Sequence, residues 1–147
     1  MLSTYSLPAY VGIILQKDES TFLIQRANTN WMSGYWNFPG GLVEKNESLV
    51  SAMIRETQEE IGTVVKPYDL TLVHVLHVHK SEENTQDIIG FYFVAHYWKD
   101  SPVNNEPNKI IDAQWFQLNH LPLKLTEHAK SALCGIKNGI LYSENGW

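Results

Sequence analysis

One segment, residues 47–61, presents two different faces at the spacing of an α-helix. Its apolar and small residues recur at helical intervals, as in a helix that buries one face against a partner. They are Leu49, Val50, Met53, Ile54, Thr57 and Ile61. Asn46 is a favourable N-cap, and Gly62 is a favourable residue for ending a helix. The sequence therefore predicts a helix over 47–61 that needs an apolar surface to cover it.

Segments rich in β-branched and aromatic residues surround this helix and predict strands. They span 9–16, 22–26, 70–79, 87–98 and 110–117, with a short extended piece at 36–41. Polar stretches at 27–34 and 80–86 predict loops, and a second helix is predicted from near Thr126 to about Ile136. No repeat or linker divides the chain, so we expect one domain over 1–147. Its class is α/β, a mixed sheet with helices packed on its faces.

Composition narrows the classes of function. The net charge of −5 argues against general nucleic-acid binding, which requires cations that neutralise phosphates. The one cysteine, Cys134, excludes an internal disulfide. The start, MLSTYSLPAY, lacks the features of a signal peptide, and no apolar run of about 18 residues predicts a membrane span. We expect a cytoplasmic protein without a membrane or nucleic-acid partner.

Glu56, Glu59 and Glu60 share one side of the predicted helix. Like charges at this spacing destabilise an isolated helix by roughly 0.2–0.5 kcal/mol per pair. The cluster is either a solvated acidic face or a site for a divalent cation, and Mg²⁺ prefers oxygen ligands such as carboxylates. Arg55 beside the cluster and the Pro-Gly-Gly turn at 39–41, where bare backbone can approach a ligand, favour the cation site.

Residues 41–63, GLVEKNESLVSAMIRETQEEIGT, resemble the Nudix box. Seven motif positions are in register: Gly41, Glu47, Arg55, Glu56, Glu59, Glu60 and Gly62. Thr57 and Thr63 depart from the aliphatic residues that are usual there, and Asn46 replaces a common glycine. WNFPGG at 36–41 and the segment at 104–122 resemble other parts of the family. The resemblance implies the Nudix fold, an α/β/α sandwich around a mixed sheet, and hydrolysis of a diphosphate linkage.

The resemblance also implies roles for individual residues. Glu56, Glu59, Glu60 and the Gly40 carbonyl would bind Mg²⁺, for which Mn²⁺ can substitute, and Arg55 would orient the glutamates. Three further residues have an implied role and an ordinary alternative. Glu106 would be a base or a metal ligand, or else a solvated loop residue. Arg26 would grip a phosphate, or else form a surface ion pair. Glu47 would be structural, or else a helix N-terminal glutamate favoured by the helix dipole.

Aromatic residues and histidines supply the remaining candidates. Trp36 is a predicted substrate-binding residue that would stack on a base, as Phe38 and Trp115 also could, although packing in the core is the commoner use of such residues. His77 and His79 alternate to one strand face, where a packed role is favoured over a metal pair.

The reaction implied most directly is hydrolysis of a nucleoside triphosphate by a house-cleaning pyrophosphatase. The enzymatic alternatives are hydrolysis of a nucleotide sugar, ADP-ribose or a dinucleoside polyphosphate. A catalytically silent nucleotide-binding Nudix module is the alternative of another class, although such modules usually show a broken box. Neither the base nor the oligomeric state follows from the sequence.

Overall fold

The computed structural model describes residues 4–27, 30–82 and 84–147. Residues 1–3 of the N-terminal segment, residues 28 and 29 of the predicted loop at 27–34, and residue 83 of the predicted loop at 80–86 lie outside the described residues. Eight strands and two α-helices lie within them. In chain order they are β1 (Ala9–Lys17), β2 (Ser20–Arg26), β3 (Trp36–Asn37), β4 (Gly40–Leu42), α1 (Leu49–Ile61), β5 (Thr71–Val78), β6 (Ile88–Ala95), β7 (Ile110–Gln117), α2 (Glu127–Lys137) and β8 (Tyr142–Asn145).

The strands form one mixed sheet in which β1 is central. Its main path runs β3-β2-β1-β6-β5-β8, while β4 pairs with β1 and β7 pairs with β2. β1 runs parallel to β6, with Ala9 opposite Ile89 and Leu15 opposite Ala95. It runs antiparallel to β4, with Gly12 opposite Gly40. The Pro-Gly-Gly segment at 39–41, called the glycine turn below, is thereby held against the middle of the sheet.

The two helices cover opposite faces of this sheet. Alternate residues of β1, including Val11 and Ile13, pack in one core cluster with Met53 and Ile61 of α1. Ile14 points the other way, into a second cluster that contains Ala129 and Ala132 of α2. Alternation along β1 thus separates the two layers of core, and the predicted sandwich around a mixed sheet is confirmed.

Helix α1 is shorter at its start than predicted. Ser48, not Asn46, is the N-cap, and its hydroxyl accepts a hydrogen bond from the Ser51 amide. Asn46 instead adopts a positive φ of 65°, a turn conformation that asparagine tolerates and that an N-cap does not use. The predicted end is confirmed, because Gly62 is the C-cap with a left-handed φ of 67°.

The two threonines that depart from the family pattern are fully buried and hydrogen-bonded. Thr57 donates to the Met53 carbonyl at 2.7 Å, and Thr63 donates to the Asp100 carbonyl at 3.1 Å. A buried hydroxyl with a partner escapes most of the cost of leaving water. Threonine is therefore accommodated where an aliphatic residue was expected.

A buried hydrogen-bond chain ties helix α2 to the sheet. Thr126 caps α2 by accepting from the Ala129 amide, as predicted, and its hydroxyl donates to the Asn37 amide oxygen at 2.9 Å. The Asn37 amide nitrogen donates in turn to the Tyr10 hydroxyl at 3.4 Å. Side chains from α2, β3 and β1 are thereby linked beneath the glycine turn.

Among the described residues, neither helix has the length and apolarity needed to span a membrane. The predicted strand at 87–98 ends earlier, at Ala95, while the strand predicted at 110–117 is confirmed. Strand β8 was not predicted, and it pairs parallel with β5.

Candidate active site

Two glycines bring bare backbone to the centre of the site. The Gly40 amide donates to the Glu60 carboxylate at 2.5 Å. A Cβ added at Gly40 would collide with the Val11 carbonyl, and one added at Gly41 would collide with the Glu56 carboxylate. Only glycine fits at position 40, where the clash is with backbone, whereas a larger residue at position 41 would have to displace the Glu56 carboxylate.

The three predicted carboxylates of α1 line one cavity of about 530 Å³. Their exposures differ, since Glu60 is 9% exposed, whereas the side chains of Glu56 and Glu59 are 13% and 51% exposed. Burial raises the pKa of Glu60 to about 8, although the Gly40 amide opposes the shift. Burial also raises the pKa of Glu56, against the influence of Arg55. Without a cation, both carboxyl groups are therefore harder to ionise than exposed ones.

Arg55 organises these carboxylates. Its guanidinium donates to Glu56 at 2.8 Å and to Glu59 at 3.2 Å, and it donates further to the Leu42 carbonyl at 3.1 Å. It also forms a bidentate pair with Glu47. The expectation that Glu47 lies on the first turn of the helix is wrong, because Glu47 precedes the N-cap. The partner of Glu47 is Arg55, whose hydrogen bonds lower the pKa of Glu47 to about 2.

The loop before β7 brings Glu106 to the same cavity. Asn105 anchors this loop to the end of α1: its amide donates to the Glu60 carbonyl at 2.9 Å, and its side chain donates to the Gln58 and Glu59 carbonyls at 3.2 Å. The charge of Glu106 contributes to the raised pKa values of Glu56 and Glu60. Lys109 lies 3.4 Å from the Glu106 carboxylate and also lines the cavity. Glu106 thus lines the same cavity as the helix glutamates, and its role as a base or a metal ligand stays a prediction.

Aromatic side chains line the same cavity. Trp31 and His128 stack with ring centroids 4.8 Å apart, and Asn84 lies against His128. Burial, followed by the charge of Arg26, lowers the pKa of His128 to about 4, so this imidazole is neutral at neutral pH. Sequence reasoning missed all three residues.

Arg26 lines the cavity, as expected of a ligand-binding residue, but its nearest contacts are within the protein. Its Nε donates to the Trp31 carbonyl at 3.1 Å, and its guanidinium lies 4.7 Å from the centroid of the Trp31 ring. Trp36 is only 8% exposed and packs edge-on against Phe116. It does not belong to the described residues that line the cavity. Its role in binding substrate stays a prediction.

The other aromatic residues and histidines that the sequence offered as candidates do not line the cavity with the carboxylates. Phe38 is fully buried, and Trp115 packs against Phe22 and Trp98. His79 lies 2.8 Å from the Asp87 carboxylate, and both His79 and His77 contact the Trp147 ring. These contacts agree with packed roles for the two histidines.

Within residues 4–27, 30–82 and 84–147, no three His, Cys, Asp or Glu side chains already stand in the arrangement of a metal-ligand group. The donor chemistry nevertheless fits a hard divalent cation. Mg²⁺ is usually held by one or two carboxylates, with water and substrate phosphates completing its shell. Buried Glu60, with its pKa raised to about 8, is a carboxylate that a cation would stabilise in its charged form.

Comparisons with known proteins agree with this geometry. The family model for the NUDIX domain matches residues 6–134. An 8-oxo-dGTP diphosphatase from Proteus vulgaris is 33% identical over 100 residues, which cover 68% of this chain and 85% of that relative. An ADP-ribose pyrophosphatase from Methanocaldococcus jannaschii is 31% identical over 119 residues, which cover 80% of this chain and 66% of that relative. A solved MutT NUDIX hydrolase from Burkholderia pseudomallei has a TM-score of 0.80 and 29% identity, with 88% of this chain and 97% of that chain covered.

Proposed function

Because this chain belongs to the Nudix family of hydrolases, which cleave diphosphate linkages in nucleoside diphosphate derivatives, we propose that its substrate is a free nucleoside triphosphate. In this proposal residues 1–147 form one catalytic domain, and the enzyme is a house-cleaning pyrophosphatase. The observation that carries it is that one cavity is lined both by the carboxylates with Gly40 and by the rings of Trp31 and His128. A ligand with a polyphosphate at one end and a planar base at the other matches both.

The acidic part of this cavity is proposed to hold a divalent metal through Glu56, Glu59, Glu60 and the Gly40 carbonyl, with Mg²⁺ as the natural ion and Mn²⁺ as a substitute. Such an ion neutralises phosphate charge and lowers the pKa of bound water. When these glutamates are fully ionised, they repel a polyphosphate. A cation between the glutamates and the polyphosphate is therefore required electrostatically.

The protein's own groups have distinct roles in the proposed reaction. Arg55 holds Glu56 and Glu59 in fixed positions through charge-assisted hydrogen bonds. Glu106 is the candidate to accept a proton from the attacking water, since it faces the cavity from a different segment. Arg26 lines the same cavity and is the candidate contact for a substrate phosphate.

ADP-ribose is the second candidate substrate, because one similar protein carries the name ADP-ribose pyrophosphatase. Nucleotide sugars and dinucleoside polyphosphates remain alternatives within the same chemistry. A silent nucleotide-binding module is the alternative of another class. The intact set of Arg55 and its glutamates speaks against it, because a binding module needs no such arrangement.

A substrate screen with Mg²⁺ tests the proposal. Ordinary nucleoside triphosphates, 8-oxo-dGTP, ADP-ribose and nucleotide sugars are compared by kcat/KM, with chromatography of the products. We expect a triphosphate to be the best substrate and pyrophosphate to be released with the monophosphate. A higher kcat/KM for ADP-ribose would reject the triphosphate assignment. Absence of turnover on every compound, with nucleotide binding retained, would identify a binding module.

A further inference from the structure

A second cavity, of about 930 Å³, lies on the face of the sheet that α2 covers. Side chains from β1, β2, β5, β6, the last turns of α2 and the segment after β7 line it. Among the described residues, none lines both this cavity and the cavity that holds the carboxylates. Its volume is within the range of sites that bind small molecules, so it is a candidate for a ligand other than the substrate.

The lining of the second cavity is largely apolar and is only partly covered by the protein. Five of its apolar side chains pack against the α2 core cluster but are partly exposed: Val73, Val94, Leu121, Leu133 and Ile136. Apolar surface on a concave site gains free energy when an apolar molecule removes it from water. The second cavity therefore favours a ligand with an apolar body.

One buried hydroxyl in the second cavity has no partner. Thr21 of β2 lines this cavity and is fully buried, and its Oγ1 forms no hydrogen bond with any described residue. Leu23 packs in the α2 core cluster, whereas Phe22 and Ile24 pack in the α1 cluster. Because side chains alternate along a strand, Thr21 points to the same face as Leu23, toward α2.

This lack of a partner sets Thr21 apart from the other buried threonines of the described chain. Thr57, Thr63 and Thr126 each donate a hydrogen bond within the protein. A buried polar group without a partner is unusual in a folded protein and is expected to have one when its site is occupied. Thr21 Oγ1 is shielded from water, so a ligand pairs with it by taking the place of a lining side chain that changes rotamer.

The charged groups of the second cavity balance each other. Glu19 and Lys137 line it with opposite charges, and its other polar residues, such as Gln16 and Asn138, are uncharged. A charged ligand would therefore find no net charge to compensate its own. The lining favours a neutral ligand.

From these observations we propose that the second cavity binds a neutral, apolar small molecule with one hydroxyl or carbonyl group. The apolar body covers the partly exposed side chains between α2 and the sheet, and the polar group forms a hydrogen bond with Thr21 Oγ1. The site has no part in hydrolysis, and the proposal holds for any substrate of the carboxylate cavity.

Cys134 reports occupancy of the second cavity in the unaltered protein. It is the only cysteine of the chain, it is exposed, and it lines this cavity. The rate at which its thiol reacts with a chromogenic aromatic disulfide is measured against rising concentrations of the probe 2-naphthol, and separately of naphthalene. Both probes should slow the reaction in a saturable way, and calorimetry should show one molecule of 2-naphthol bound per chain.

Thr21→Val removes the hydroxyl with little change in side-chain volume. Affinity for 2-naphthol should fall about 10-fold, because the hydroxyl of the probe loses its partner. Affinity for naphthalene, which has no hydroxyl, should stay within about twofold. Thr57→Val is the matched control, because Thr57 is also fully buried but does not line the second cavity, and it should change neither affinity.

Thermal melts show whether each variant is folded. Thr21→Val should melt no earlier than wild type, since no described residue loses a hydrogen bond to it. If it does melt early, wild-type protein labelled at Cys134 decides instead. The attached aryl group should abolish binding of 2-naphthol in calorimetry, and unchanged binding to the labelled protein would overturn the proposal.

Three further results would overturn it. The first is the absence of saturable protection of Cys134, or an equal loss of affinity for both probes in folded Thr21→Val. The second is displacement of 2-naphthol by AMP, which would place the probe in the carboxylate cavity. The third is protection that rises with protein concentration without any probe, which would identify a second copy of this chain as the occupant. Each of them leaves the proposed hydrolysis untouched, because it concerns different residues.

Discussion

The Arg55 guanidinium donates two hydrogen bonds to the Glu47 carboxylate, from Nε at 2.7 Å and from Nη2 at 2.9 Å. Glu47 lies outside the helix and lines no part of the cavity among the described residues. Its effect on the site is therefore exerted through Arg55, which reaches Glu56 and Glu59 with its remaining nitrogen. A positioning residue of this kind should influence both stability and turnover.

Glu47→Ala should lower the melting temperature and reduce kcat by about 10-fold, because Arg55 loses its strongest anchor and the glutamates lose a fixed partner. Glu44→Ala is the matched control. Its carboxylate is 3.8 Å from Arg55 and 69% exposed, so we expect little change. Melting curves and steady-state kinetics measure both effects. Equal effects of the two substitutions would argue against a special role for Glu47.

Removing charge from the carboxylates of α1 should be far more damaging. Glu56→Gln, Glu59→Gln and Glu60→Gln should each lower kcat by at least about 100-fold, since each removes a proposed metal-binding carboxylate. Circular dichroism should remain native, because like-charge repulsion on the helix is relieved. Glu19→Gln, in the exposed turn after β1, is the control with expected wild-type turnover. A near-normal kcat in Glu60→Gln would contradict the proposed roles.

Glu106 distinguishes two versions of the site. If it acts as the base or as a metal ligand, Glu106→Gln should lower kcat by about 10-fold or more with little change in KM. If it is only a solvated loop residue, both constants should stay within about twofold. Kinetics of this variant on the best substrate decide the matter. Wild-type constants would leave the helix glutamates as the only candidates for the base.

Activity should require a divalent cation and should rise toward alkaline pH, since water must be deprotonated beside the carboxylate cluster. Turnover measured after EDTA treatment should be lost, and it should return when excess Mg²⁺ or Mn²⁺ is added. The pH profile between about 6 and 10 is then recorded with Mg²⁺ present. Full activity in EDTA would reject the metal-dependent reaction.

The raised pKa of Glu60 also predicts how the stability of the metal-free protein depends on pH. Its pKa is about 8 in the folded state and near 4.5 when unperturbed, so the folded state holds the extra proton between these values. The stability that Glu60 contributes is therefore present below about pH 4.5 and is lost as the pH rises through 8. The loss is on the order of a few kcal/mol, since one pKa unit corresponds to about 1.4 kcal/mol.

Thermal melts in EDTA at pH 6 and pH 9 measure this contribution. Wild type should be less stable at pH 9, whereas Glu60→Gln, which keeps an acceptor for the Gly40 amide, should show a smaller decrease. Glu19→Gln should follow wild type. An identical pH dependence in wild type and Glu60→Gln would show that Glu60 does not hold a proton in the folded protein.

Local patterns predicted the parts of the fold that depend on nearby residues. The end of α1 at Gly62 and the capping of α2 by Thr126 are properties of short segments, and both were predicted correctly. The start of α1 was not, because Asn46 and Ser48 are both good caps and only the turn geometry selects between them. Strand β8 has four residues without an apolar alternation, so only its pairing with β5 reveals it.

The same distinction holds within the site. Glu56, Glu59 and Glu60 share a helix face, so their spacing alone predicted that they would converge. Trp31 and His128 meet only because β3 packs beside the start of α2, a long-range contact with no local signature. Trp36 was predicted to contact substrate, and the sequence did not show that Trp36 is buried whereas Trp31 lines the cavity.

The hydrogen-bond chain from Thr126 through Asn37 to Tyr10 has a consequence for motion. Backbone pairs reinforce it, because the Trp36 amide donates to the Lys124 carbonyl and the Thr126 amide donates to the Trp36 carbonyl. Opening the start of α2 must therefore also open β3, which leads into the glycine turn. Amide hydrogens in these two segments should exchange with deuterium at similar free energies of opening, as one cooperative unit. Local breathing would then release the start of α2 and the glycine turn together rather than one at a time.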